Sequence, residues 1–123
     1  MKTRSFLTLT LLLATLALPL LANKSAVSID APATVKAGEE ATIIINVSHR
    51  GNSSLHFTKR LVVMANGKEI ARWNFSSGNR PESDNFTREI KHKIEAETEI
   101  VAEAHCNLHG SAGPVSVKIK VAE

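Results

Sequence analysis

The chain has 123 residues, 43% of them hydrophobic and 22% charged, with 15 basic and 12 acidic side chains. That length is one ordinary domain, and a formal charge of +3 is too small to neutralise a row of phosphates, which argues against nucleic acid as a partner. A single cysteine excludes a disulfide framework within the chain.

Lys2 and Arg4 precede an apolar run from Phe6 to Leu21, and Ala22 then meets polar Asn23. This is the order of a secretory signal peptide. The expected organisation is therefore a leader over residues 1–22 and a working domain over 23–123, periplasmic or secreted, with no membrane attachment once the leader is cut. An uncleaved anchor is the alternative, because Leu20 is a poor residue three places before the cut. Without the leader the chain keeps 13 basic and 12 acidic side chains and is close to neutral.

After the leader, apolar residues alternate with polar ones, the period of strands that bury one face. Strands are expected near Ser25–Asp30, over Ala41–Ser48 with Ala41, Ile43, Ile45 and Val47 inward, and on either side of Asn66-Gly67. That pair accepts the positive φ angles of a tight hairpin. Others are expected over Phe86–Ile94, Glu99–Cys106 and Val115–Val121. Ser76–Asp84, rich in Ser, Gly, Asn and Pro, reads as a long loop. About seven short strands predict an all-β fold, an antiparallel β-sandwich of the immunoglobulin kind without its disulfide.

The chemistry gathers where the sixth expected strand ends, at His105-Cys106-Asn107-Leu108-His109-Gly110. A lone thiol in an oxidising compartment needs burial, an intermolecular partner or a metal, and Cys-x-x-His lets a thiolate and an imidazole meet one ion. Strand parity turns Cys106 inward and His105 outward. Upstream, His49 and His56 flank a turn in which Gly51 lets the chain fold back. Singly, each histidine reads as a solvated loop residue; the set together reads as a metal site.

Cys106-Asn107-Leu108-His109-Gly110 resembles the Cys-Asn-x-His-Gly loop of the superoxide reductases, the neelaredoxins and desulfoferrodoxins. His49 and His56 resemble that family's paired histidines, spaced one residue wider here, and Ser83-Asp84-Asn85-Phe86-Thr87 is similar to its entry into a late strand. The resemblance implies one iron with Cys106 as axial ligand, His49, His56 and His109 as equatorial ligands, and an open position where superoxide is reduced to hydrogen peroxide. It also implies Lys24 as the lysine that attracts superoxide. An external electron-donor protein is required, since there is no second cysteine cluster, and homo-oligomerisation is left open.

The chain departs from the family at Ser25, which stands where a fourth histidine is expected, with Asn23 in place of a glutamate. His92 reads as a packing or surface residue rather than a replacement. Two other classes stay open. The loop is also similar to a cupredoxin ligand loop, which would hold copper but lacks the axial methionine, with Pro114 near its place and Met64 far away. The segment Lys36-Ala37-Gly38-Glu39-Glu40 is similar to the immunoglobulin-like companion subunits of periplasmic thiosulfate oxidation, a non-catalytic binding module.

Overall fold

A computed structural model describes residues 23–123; the expected leader, 1–22, lies outside the described residues. The strands are β1 (Ala26–Asp30), β2 (Thr34–Lys36), β3 (Glu39–Ser48), β4 (Thr58–Ala65), β5 (Lys68–Asn74), β6 (Asn85–Ile94), β7 (Thr98–Cys106) and β8 (Val115–Ala122). A three-stranded sheet in the order β1-β3-β6 faces a five-stranded sheet in the order β2-β8-β7-β4-β5. The fold is the expected immunoglobulin-like β-sandwich. Among the described residues, no helix is long and apolar enough to cross a membrane.

Alternation explains which side chains fill the space between the sheets. In β3, Ala41, Ile43, Ile45 and Val47 are at most 2% exposed, whereas Ile44, of opposite parity, is 36% exposed. Leu61 and Val63 of β4, Ile100, Ala102 and Ala104 of β7, and Ile119 of β8 meet them from the other sheet. Each fully buried aliphatic side chain contributes about 1.5–3 kcal/mol through the water it no longer orders. Asn66 and Gly67 take φ values of 50° and 80°, as a two-residue β4–β5 hairpin requires.

The difference from expectation is the eighth strand, β2, which runs parallel to β8 with Val35 opposite Val121. Three residues with one apolar side chain carry no periodicity of their own, so only the neighbouring β8 edge makes them a strand.

Strand registers bring several ends together at one rim. Ser48 pairs with Ala26 and with Asn85, and Thr58 pairs with Cys106. The connection from His49 to Phe57, the start of β6 and the loop after β7 therefore all lie at that end.

Candidate metal centre

The loop after β7 folds back on itself within four residues. Cys106 N donates to Gly110 O at 2.8 Å, and Gly110 N returns a bond to Cys106 O at 3.2 Å. Gly110 takes φ +75° to do so, a conformation that a Cβ disfavours. The reversal turns the backbone N–H groups of Leu108 and His109 toward Cys106 Sγ, each at 3.4 Å. Such donors draw electron density from a coordinated sulfur and tune its potential. Cys106 itself is 1% exposed.

Asn107 ties this loop to the histidine-bearing connection across about fifty residues of chain. Its Oδ1 accepts Phe57 N at 2.9 Å, its Nδ2 donates to Leu55 O at 3.1 Å, and its own N donates to Phe57 O at 3.0 Å. His56 and His109 are thereby held face to edge, with ring centroids 4.8 Å apart.

His49 follows β3 directly and is 3% exposed. Its Nδ1 lies 2.7 Å from Asn52 Oδ1. The Asn52 amide is fixed from its other end, where Nδ2 donates to Ser83 O at 2.8 Å, and the same Oδ1 also accepts Thr58 N at 2.9 Å. Because Oδ1 can only accept, the His49 proton sits on Nδ1 and the Nε2 lone pair points away, toward His56. Asp84 clamps the same turn: its Oδ1 accepts Asn52 N at 2.9 Å and its O accepts His49 N at 2.9 Å. Bonds from the Asn52 and Gly51 backbone hold the Asp84 carboxyl below the usual carboxylate range.

Three imidazole nitrogens converge as a result. His56 Nε2 is 3.1 Å from His49 Nε2 and 3.1 Å from His109 Nδ1. Two nitrogens bound to one first-row ion at right angles, each at about 2.1 Å, stand about 3.0 Å apart, so the observed spacing fits neighbouring ligands of one ion. Cys106 Sγ lies 3.9 Å from His109 Nδ1, and the donor atoms of His49, His56 and Cys106 all fall within 4.8 Å of one another. Burial, reinforced by the His49 ring, pushes the His56 pKa down against a smaller upward pull from the Asn23 backbone, with His109 adding to the fall. A neutral imidazole is the form that binds metal.

Lys24 lines a recess of about 370 Å³ together with His49, Arg50 and Asp84. Ser25 is fully buried, and its Oγ is 2.8 Å from Thr58 Oγ1. His92 pairs with Ala41 at the far end of the β3–β6 ladder from Ser48–Asn85. His105 faces outward from β7, and its Nε2 is 3.2 Å from Glu103 Oε1. Met64 points to the outer side of β4, with Arg60 and Val62, so the copper alternative lacks its axial thioether. The supporting roles of Asn52, Asp84 and Asn107 were not assigned from sequence; only Asn107 and Asp84 carried a signal there, as members of the resembling segments.

A β-sandwich with three imidazoles and a thiol gathered at one rim offers a donor set that could hold one transition-metal ion. The desulfoferrodoxin family model matches residues 21–112, and the chain belongs to that family. Among solved structures it is similar to the superoxide reductase (neelaredoxin) from Ignicoccus hospitalis, at 21% identity and TM-score 0.65, over 80% of this chain and 82% of that one. A variant of the same protein gives 22% identity and TM-score 0.67, over 83% and 84%. The sulfur carrier protein SoxY from Chlorobium limicola f thiosulfatophilum is similar at 11% identity and TM-score 0.56, over 77% and 74%, a likeness of fold alone. No curated protein sequence matches the chain.

Proposed function

We propose that this is an exported mononuclear non-haem iron protein of the superoxide reductase type, which takes one electron from an external donor protein and reduces superoxide, with two protons, to hydrogen peroxide. The observation that carries this reading is the convergence of His49, His56, His109 and Cys106 at an open rim, in a chain of the desulfoferrodoxin family. Bound iron would supply the one-electron couple, with the thiolate favouring its oxidised form.

The chain's own residues set the conditions. His49, His56 and His109 offer the nitrogens and Cys106 the sulfur, with the N–H groups of Leu108 and His109 moderating the sulfur's donation. Lys24 and Arg50 present positive charge beside His49 and draw in a small anion. Leu55 and Leu108, 79% and 62% exposed, stand on the two loops that carry His56 and His109, and give a donor protein an apolar foothold close to the ion. A cleaved leader over residues 1–22, as the order of charged, apolar and polar residues there implies, would put this chemistry in the periplasm or outside the cell.

The test is a superoxide pulse applied to the reduced, iron-loaded domain under anaerobic conditions. One oxidised centre and one peroxide per superoxide consumed, with no oxygen released, supports the reading. Oxygen evolved at half the superoxide consumed means dismutation, and would overturn it.

A further inference from the structure

The Asn52 amide orients His49, and the segment that orients Asn52 is itself gripped from outside the metal centre. Asn52 Nδ2 donates to Ser83 O at 2.8 Å, and Asn52 N donates to Asp84 Oδ1 at 2.9 Å. Ser83 and Asp84 lie just before β6 and belong to no strand, so no ladder of backbone bonds fixes them. Arg88 of β6 acts on the residue before them. Its Nη1 and Nη2 donate to Glu82 Oε1 and Oε2 at 2.8 and 3.1 Å, a fork that engages both carboxylate oxygens and sets their orientation. Arg88 is itself held on three sides. Nη1 also donates to Thr87 O at 2.7 Å, and the guanidinium lies over the rings of Phe86 and Phe75, 4.9 and 5.5 Å from their centroids. Phe86 is a core residue, 4% exposed, and Phe75 packs against the core. The Arg88 side chain is only 21% exposed, whereas the Glu82 side chain that it holds is 60% exposed. The grip therefore runs outward from the sandwich to the loop.

We propose that Arg88 is a positioning residue for the metal centre: through Glu82 it fixes the Ser83–Asp84 backbone, which turns the Asn52 amide so that Oδ1 meets the His49 Nδ1 proton. This rests on the metal-centre reading above. Residues 83 and 84 reach His49 by two routes, the Asn52 amide and Asp84 O, which accepts His49 N at 2.9 Å. Only the Asn52 route bears on which ring nitrogen carries the proton. An ion pair with one well exposed partner adds little to global stability, so loss of the fork should show in the centre more than in the fold.

Arg88→Met keeps an apolar stem over the two rings and removes the fork, and Glu82→Ala removes its acceptor. Ferrous iron affinity, read by chelator competition, should fall about three- to tenfold in each, less than for loss of a direct partner of the imidazole. In an Asn52→Ala background neither change should weaken binding further, because neighbours in one chain of contacts are not additive. The second readout is nitrogen-15 NMR of the His49 ring in the metal-free protein, above the ordinary imidazole pKa. The native ring should carry its proton on Nδ1, and Arg88→Met should shift it toward a mixture of tautomers. Unchanged affinity with unchanged ring shifts, or losses that add in full to that of Asn52→Ala, would overturn the proposal. Should Arg88→Met not fold, Glu82→Ala carries the same tests from an exposed position. A chain that takes up no iron would sink the metal-centre reading, and the ring shifts of the metal-free protein would still decide whether Arg88 sets the His49 tautomer.

Discussion

Replacing Asn52 with Ala isolates what one supporting amide does for the centre. In the native chain this side chain accepts the His49 Nδ1 proton at 2.7 Å and Thr58 N at 2.9 Å, and donates to Ser83 O at 2.8 Å. Each such bond adds about 1 kcal/mol net, and a buried N–H left without a partner costs about 1–3 kcal/mol. Thr58 is fully buried, so the metal-free variant should lose about 2–4 kcal/mol of stability. A second loss is specific to the metal. Without the acceptor on Nδ1 the His49 proton is free to move to Nε2, which blocks the lone pair that faces His56, and removal of such a partner typically weakens metal binding by about 10- to 100-fold. Asn52→Asp keeps both acceptor bonds but sets a carboxylate oxygen against Ser83 O in place of the donating amide, so its stability should fall as well, while its affinity should stay within about fivefold of the native value. Chelator competition measures the affinity, and thermal unfolding of the metal-free protein measures the stability. If Asn52→Ala lowered stability but left affinity unchanged, the tautomer argument would be wrong and the residue only a brace.

Other perturbations separate backbone, charge and docking. Gly110→Ala meets no atom within 4 Å of the new Cβ, so its cost is the strain of φ +75°, about 1–2 kcal/mol, and weaker metal binding as the Cys106–His109 loop shifts; calorimetry and chelator competition read the two effects. Burial is the main cause that depresses the His105 pKa, with Glu103 pulling it up and Arg60 and Lys59 pushing it further down. Below the unfolded imidazole pKa the unfolded chain then binds the extra proton, so stability is full above about pH 6.5 and falls as the pH drops through the folded value. Thermal melts of the metal-free protein across that window should show a shallower slope in His105→Gln. Leu55→Glu with Leu108→Glu should slow reduction by a donor protein at least severalfold and leave reduction by a small-molecule reductant unchanged. The exported chain should have an N-terminus at Asn23, read by intact mass after fractionation.

Most of the sandwich was legible because half-buried strands advertise themselves by alternation: the Ala41–Val47 and Val115–Val121 patterns sort inward from outward residues without any partner in view. β2 was not legible, since Thr34-Val35-Lys36 becomes a strand only beside β8. At the site, the spacing Cys106–His109 is local and could be read directly, as could the opposite orientation of His105. The supports could not, because Asn52 reaches Ser83, Asp84 reaches the His49 turn and Asn107 reaches Leu55 across 31, 32 and 52 positions, contacts that the fold alone creates. Ser25 shows the same limit from the other side. Its identity is visible in the sequence, but its pairing with Thr58 needed the two sheets in place.

The metal content of the mature domain purified without added metal, taken with its visible spectrum after mild oxidation, tests the iron centre most directly. One iron per chain is expected, with a thiolate-to-iron absorption band that Cys106→Ser abolishes and His92→Ala leaves intact. Copper with an intense blue band, loss of the metal in His92→Ala, or no metal under any loading condition would contradict an iron centre built on His49, His56, His109 and Cys106.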